Sequence, residues 1–293
     1  MNMHKASLAP DVAAIRAHLT AWAAPYIGTE FDDGMIEVAH TAPGDPAVNR
    51  ARLFPPDQIE AAVAHAAGRN AERCNIYVGA ALRAPDAAPH GRASAVDFHA
   101  AAYACAEADG DADAVAARIE AMGTKGSIRV RTGQAPEKRV HHWLQLRELC
   151  DNPEDYGEAL VALVAHVGAD AKVKDSARVL RLGGTVNWIT DPRKVAKGYV
   201  DELTAVVVED APAVDLGRLA ALEPMPGWAP RSSGGGGGNG GPGEIIRNAE
   251  GLVTDGREAF WRQLAMRAVA DFQRENGADP EVARCSTLPS PGS

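Results

Sequence analysis

The sequence contains few of the residues that build covalent or metal-linked frameworks. Its 293 residues include only four cysteines, and no two of them form a Cys-x-x-Cys pair. This scatter predicts reduced thiols and argues against a structural zinc site, so no zinc is expected. No run of about 18 apolar residues occurs, and we therefore expect no membrane span. The N-terminal residues lack an apolar signal core, which favours a cytoplasmic location.

Motor and dinucleotide-binding motifs are also missing. No Gly-x-x-x-x-Gly-Lys-Ser/Thr sequence occurs, which excludes an ATPase motor within this sequence, and no Rossmann glycine pattern is present. Patterns typical of strands alternate instead with patterns typical of helices. Without those glycine motifs, the alternation indicates an α+β fold with an antiparallel or mixed sheet.

Basic residues are outnumbered by acidic ones. Thirty lysines and arginines face 39 aspartates and glutamates, which gives a net charge of −9. This charge argues against a protein that coats nucleic acid indiscriminately, but it allows a local basic cleft. Hydrophobic residues at 46% and charged residues at 24% are typical of a soluble globular protein.

The composition predicts three regions along the chain. Residues 1–225 carry all the motifs described below and form the predicted catalytic domain. Residues 226–244 are dominated by glycine and predict a flexible linker. Residues 245–293 predict an extension with a helix from about 258 to 276, because apolar residues recur there at helical spacing.

Hydrophobic periodicity predicts the main elements of the first region. The expected helices cover residues 11–24, 57–70, 114–122, 153–168 and part of 193–207. The expected strands cover residues 34–39, 75–79, 103–109, 127–131 and 139–146.

The segment from Asp175 to Asn187 combines acidic, basic and glycine residues in a pattern that suits metal and phosphate together. Arg178 and Arg181 keep their charge in proteins, and their planar guanidinium groups suit phosphate oxygens. The Gly-Gly-Thr sequence ending at Thr185 lets the backbone approach a ligand closely. A strand with a surface ion pair and a turn is the simpler interpretation.

An acidic cluster lies upstream, at the end of a small apolar run. Residues two apart on a strand point to the same face, so Glu107 and Asp109 project together if 103–109 is a strand. Asp109 and Asp111 would do the same if the strand continued, although Gly110 makes this less favourable. The cluster is also typical of an acidic helix start. Asp175 would add a third carboxylate from a neighbouring strand.

A third segment lies between these two. In the predicted strand 139–146, alternation places Arg139, His141 and Trp143 on one face and His142 on the other. The face with Arg139 and His141 suits a nucleoside triphosphate. His142 is the alternative.

The order of these segments resembles the three-motif signature of the archaeo-eukaryotic primase superfamily, specifically the primase-polymerases of phages, plasmids and integrated elements. The resemblance is clearest from Asn75 to Asn187. It implies a small α/β unit packed against an RNA-recognition-like sheet that carries the carboxylates. The first motif of that superfamily is usually Asp-x-Asp, so Glu107 is a departure. His141 matches the histidine of the second motif best.

The resemblance also implies an activity and its partners. The chain is expected to join nucleotides on a single-stranded DNA template, with Glu107, Asp109 and Asp175 holding two Mg²⁺ or Mn²⁺ ions. The predicted nucleotide-binding residues are Arg139, His141, Arg178, Arg181, Thr185 and Asn187. Nucleoside triphosphates are the expected substrates, and a replicative helicase would come from another chain or be lost by truncation.

Two other functions remain open. The first is a replication-initiation or DNA-binding module on the same fold with weak or no catalysis, suggested by Glu107 and by the missing helicase. The second is another phosphoryl transfer that uses the same acids, such as nuclease cleavage.

Overall fold

The computed structural model describes residues 8–88 and 91–228, together with the backbone of two short strands farther along the chain. Two compact units are present, Met1–Arg231 and Ser232–Ser293. The predicted glycine linker, apart from residues 226–228, and the predicted helix at 258–276 lie outside the described residues. In the second unit, the described strands Ile246–Arg247 and Val253–Asp255 pair with each other antiparallel.

The described elements follow one another as alternating helices and strands. The helices are α1 Val12–Ala23, α2 Ile59–Ala71, α3 Ala112–Ala121, α4 Pro153–Val167, α5 Pro192–Ala196 and α6 Leu216–Ala220. The strands are β1 Ile36–Thr41, β2 Val48–Phe54, β3 Ile76–Gly79, β4 Leu82–Arg83, β5 Phe98–Asp109, β6 Ile128–Gly133, β7 Arg139–Cys150, β8 Val179–Arg181, β9 Val186–Asn187, β10 Glu202–Leu203, β11 Ala205–Val208, β12 Ile246–Arg247 and β13 Val253–Asp255.

Two sheets organise the first unit. One has the order β2-β1-β3-β8 and the other the order β11-β6-β7-β5-β4, and each strand pair within them is antiparallel. The long strands β5 and β7 lie next to each other inside the larger sheet. The predicted α+β class with antiparallel sheets is therefore confirmed.

The helices pack their apolar faces against the sheets, and the helix ends have recognisable capping residues. In α1, the Asp11 carboxylate accepts a hydrogen bond from the Ala14 N–H at 3.0 Å, and Trp22 is fully buried. Val12, the first residue of this helix, is 43% exposed. In α4, Asn152 caps the first turn and Gly168 ends the helix with φ +71°.

The 193–207 region was expected to be partly helical, and Pro192–Ala196 forms a helix there, while residues farther along form β10 and β11. The run Ala205–Val208 contains three valines, which favour a strand once β6 offers an edge. Asp175 was expected on a strand but lies in a bend before β8. No helix among the described residues is long and apolar enough to cross a membrane.

Candidate active site

The pairing of β5 with β7 brings the first and second motifs together. Glu107 lies directly opposite His141, and Asp109 lies opposite Arg139. Residues directly opposite in a sheet, and residues two apart on one strand, share a face. All four side chains therefore project from the same side of the sheet; the alternation had predicted the shared face within each strand. His142 faces the other side, where it lies opposite Arg129.

Glu107 is held between a histidine and an arginine. His141 Nε2 lies 3.3 Å from Glu107 Oε1, and the Arg178 guanidinium donates a very short hydrogen bond to Glu107 Oε2. Burial by itself would raise the pKa of Glu107, but His141 and Arg178 together bring it well below its usual value. The Glu107 carboxylate therefore stays ionised, and each of its oxygens has a cationic or polar neighbour.

Asp109 has the opposite environment. It lies exposed at the end of β5, yet partial desolvation together with the charges of Glu107 and Asp170 raises its pKa. His141 and Arg139 oppose this effect without cancelling it. The negative charges of Glu107 and Asp170 therefore add to the effect of desolvation on Asp109.

The third motif reaches this face through Arg178, which contacts Glu107. Asp175 is exposed, and its backbone carbonyl accepts the Arg178 N–H at 3.2 Å. Burial would lower the pKa of Arg178, but Glu107, Asp170 and Asp175 raise it, in that order. Asp175 thus acts on Arg178, while Asp170 is the third acid that influences Asp109.

The alternative first motif, Asp109 with Asp111, does not form on a strand. β5 ends at Asp109, and Gly110 has φ +98°, which turns the chain into α3. Asp111 occupies the N-cap position of that helix. The acidic helix start and the strand with two acids are therefore both present, one after the other.

Arg181 and Arg139 are each held by aromatic and polar neighbours. Arg181 donates to Asn75 Oδ1 at 2.8 Å and to the Tyr77 hydroxyl at 2.9 Å, and its guanidinium carbon lies 4.7 Å from the centre of the Tyr77 ring. Arg139 is almost fully buried and donates to the Ala135 carbonyl at 2.7 Å. These contacts fix both guanidinium groups in place before any ligand binds.

Thr185 and Asn187 were predicted to bind the nucleotide, but the structure places both side chains beneath the turn. The Thr185 hydroxyl donates to the Leu182 carbonyl at 2.6 Å, and Thr185 is fully buried. The Asn187 amide donates to the Thr132 carbonyl at 2.9 Å. Both residues therefore shape the backbone and do not line an open pocket. Asn187 thus links the segment after β8 to β6, the strand that carries Thr132.

Comparison with known proteins places this geometry in a known architecture. No protein-family model and no curated protein matches the sequence. The structure is similar to the AEP domain of the primase-polymerase of cyanophage S-2L, with a TM-score of 0.51 and 21% identity. The alignment covers 74% of this chain and 100% of that domain. The chain has an archaeo-eukaryotic primase fold.

The primase fold expected from the resemblance is therefore confirmed for the first unit. The catalytic domain of primase RepB′, solved in complex with initiator DNA, also aligns, with 16% identity across 71% of this chain and 90% of that domain, at a TM-score of 0.48. The expected C-terminal helical segment lies outside the described residues.

Sequence reasoning missed two residues near the acids of this primase fold. Asp170 follows the glycine that ends α4, and its N–H donates to the Glu107 carbonyl at 2.8 Å. Lys194 on α5 is close enough that partial desolvation and Arg181 lower its pKa, while Asp109 raises it. An acid two residues after the helix-ending Gly168 was the available signal for Asp170. Lys194 had no signal, because its approach depends on tertiary structure.

The side chains at this site provide only part of the ligand set that a hard divalent cation needs. Oxygen ligands are what Mg²⁺ prefers, and it often binds one or two carboxylates together with substrate phosphates. Glu107 and Asp109 provide two carboxylates on one face, and desolvation followed by the charge of Glu107 raises the pKa of Asp109. Within residues 8–88 and 91–228, however, no three acidic, histidine or cysteine side chains are grouped closely enough to hold a metal.

Proposed function

We propose that this protein is a primase-type nucleotidyltransferase that joins nucleotides on a single-stranded DNA template. The observation that carries the proposal is the pairing of Glu107 with both His141 and Arg178, which unites three motifs from distant parts of the sequence. The archaeo-eukaryotic primase fold supports the same activity.

Glu107 and Asp109 are the proposed ligands of Mg²⁺ or Mn²⁺, and Asp170 replaces Asp175 as the third acid in this proposal. When bound, such ions lower the pKa of an attacking hydroxyl and neutralise the departing pyrophosphate. Asp170 supports this role because its charge already raises the pKa of Asp109. Asp175 instead tunes the neighbouring guanidinium of Arg178.

The proposed triphosphate pocket uses cations that the fold has already oriented. Arg178 directly precedes β8, and Arg181 is the last residue of that strand. Their planar guanidinium groups suit phosphate oxygens. His141 Nε2, close to Glu107, can donate to a phosphate oxygen or to the acid. Because the cations are held by protein contacts, little ordering entropy is lost when a triphosphate binds.

Template-dependent extension tests the proposal. The full chain is incubated with single-stranded DNA, with ribonucleotides or deoxyribonucleotides, and with Mn²⁺ or Mg²⁺, and products are resolved by length. We expect extension that Asp109→Ala reduces by about a thousand-fold or more. Asp113→Asn is the matched control, because Asp113 is an exposed acid four residues away whose carboxylate pairs with Lys138. Absence of product with every template and nucleotide would contradict the proposal.

A DNA-binding module without catalysis is the second candidate. It is favoured by the full engagement of Glu107 with Arg178 and His141 and by the lack of a three-donor group in the described residues. Its signature would be sequence-specific duplex binding that survives replacement of Glu107, Asp109 and Asp170 together, without any extension. Degradation of labelled DNA with Mg²⁺ and no nucleotides would instead indicate a nuclease.

A further inference from the structure

A fully buried ion pair joins a strand of the smaller sheet to the edge strand of the larger one. Glu37 on β1 and Arg83 on β4 have no exposed side-chain surface, and Arg83 contacts Glu37 Oε2 through Nε at 2.9 Å and Nη2 at 2.8 Å. A second guanidinium, that of Arg92, donates to Glu37 Oε1 at 3.2 Å. One buried acid thus organises two arginines.

Both arginines use their remaining donors on one short segment, residues 175–178, which we call the 175–178 turn. Arg83 Nη1 donates to the Ser176 carbonyl at 2.6 Å, and Arg92 Nη2 donates to the Ala177 carbonyl at 2.6 Å. The next carbonyl, that of Arg178, accepts the Ala80 N–H at 2.8 Å. Three consecutive carbonyls are therefore held, although the turn belongs to no helix or strand.

Stability alone does not account for such a cluster. Desolvation of buried charges offsets much of their attraction, so replacing a buried ion pair by apolar residues is often neutral or stabilising. The ion pair instead fixes the direction of hydrogen bonds, because a planar guanidinium group donates only in set directions. The hydrogen bonds from Arg83 and Arg92 end on the backbone next to Arg178, and the Arg178 guanidinium donates to Glu107.

We propose that Glu37 is a positioning residue for the active site: through Arg83 and Arg92 it fixes the 175–178 turn so that Arg178 reaches Glu107. The consequence for nucleotide binding rests on the proposed function. The mechanical part of the proposal, that Glu37 orders the 175–178 turn, does not depend on the proposed function. Arg92 is the adjustable member of the cluster, because its side chain is 26% exposed whereas those of Glu37 and Arg83 are not exposed at all.

Hydrogen exchange on the full chain tests the mechanical part. Arg92→Ala removes one carbonyl donor without leaving a cavity in the core, and we expect the amides of residues 176–178 to exchange about 10- to 100-fold faster. Amides in the centre of β7 should be unchanged. Arg69→Ala is the matched control, because it removes an arginine from an exposed pair with Glu72 on α2. Unchanged exchange in the turn of Arg92→Ala would overturn the proposal.

Two further variants separate positioning from simple loss of structure. Arg92→Lys keeps the charge but cannot reach Glu37 and the Ala177 carbonyl with one planar group, so exchange should be only partly restored. Glu37→Gln should loosen the turn more than Arg92→Ala if the protein still folds; if it does not, the Arg92 series decides the question alone.

Nucleotide kinetics test the consequence for the site. If Arg178 binds the triphosphate, Arg92→Ala should raise the KM for nucleotide about 5- to 10-fold with a smaller change in kcat. Faster exchange of the turn with an unchanged KM would refute the link to the site. If the unaltered chain extends no template, the proposed function fails, and the exchange experiment still decides whether Glu37 positions the turn.

Discussion

Two carboxyls on one face of β5 differ in how their surroundings treat negative charge. Glu107 is paired with Arg178 and His141, and its pKa lies well below the usual value. Asp109, two residues later, has a raised pKa because of partial desolvation and the nearby charges of Glu107 and Asp170. Neighbouring acids with divergent pKa values are common where charge is arranged for a ligand and not for stability.

Asp109→Asn should make the fold more stable while it removes activity. A carboxyl whose pKa is raised in the folded state is ionised at a cost, and this cost is present at neutral pH and disappears as the pH falls through the folded pKa. The amide has no charge, so we expect the melting temperature at pH 7.5 to rise by about 1–2 °C.

Differential scanning calorimetry at pH 7.5 and at pH 4 would measure this effect. The gain from Asp109→Asn should shrink at the lower pH, where the carboxyl of the unaltered protein is closer to neutral. A loss of stability at pH 7.5 would show that Asp109 makes a favourable contact and would contradict this account of its charge.

At the scale of elements, the sequence predicted the strands of the site better than their contacts. Alternation within 103–109 and 139–146 correctly placed Glu107 with Asp109, and Arg139 with His141. Nothing in the sequence specified that Glu107 would lie opposite His141, because register depends on how two strands with 29 intervening residues pack.

The third acid illustrates the same limit. Asp175 was predicted as the third carboxylate on a strand because two arginines and a glycine turn follow it, whereas the structure places it in a bend and the strand begins at Val179. Asp170 lies near Glu107 because the chain leaving α4 hydrogen-bonds to the β5 backbone. This is a tertiary contact that periodicity does not encode.

The glycines of the Gly-Gly-Thr turn were singled out from the sequence, but the segment that packs against them, the start of α1, was not predicted. Gly184 has φ +81°, and a Cβ there would lie 2.6 Å from the Ile15 nitrogen and 2.7 Å from the Asp11 carbonyl oxygen. The Gly184 carbonyl also accepts the Asp11 N–H at 2.8 Å. The glycine thus allows the start of α1 to pack directly on the third motif.

Gly184→Ala should therefore destabilise the protein by about 3 kcal/mol or more, since it combines a left-handed backbone with two clashes against backbone atoms. Gly44→Ala is the matched control: φ is +76° there, but a Cβ would meet nothing within 4 Å. The control should cost only about 1 kcal/mol. Urea unfolding of both variants measures the difference, and equal losses would contradict the role of the α1 contact.

For the whole molecule, the net charge of −9 hides a strong local separation of charge. Arg178 contacts Glu107, and Arg139 lies opposite Asp109 on the neighbouring strand. The larger sheet also buries titratable groups on both of its faces, including His142 opposite Arg129 and His18 against Trp143. The pH dependence of folding is therefore governed by buried histidines as well as by the acids.

His18 and His142 should make the protein less stable in mild acid. Burial is the main cause that lowers the pKa of His18 to about 3 and that of His142 to about 4, with smaller effects of His141 on the first and Arg129 on the second. An unfolded histidine binds a proton near pH 6.5, so the unfolded state gains protons first as the pH falls. The free energy of unfolding should therefore decrease from pH 6.5 towards pH 4.

The variant His142→Phe isolates one of these contributions. Between pH 7 and pH 5, each of the two histidines should lower the free energy of unfolding by about 2 kcal/mol. Urea unfolding at both pH values should thus show a decrease in the variant that is smaller by about this amount, whatever its stability at pH 7. An identical decrease in the two proteins would mean that His142 gains its proton in the folded state as readily as in the unfolded one, which its position opposite Arg129 makes unfavourable.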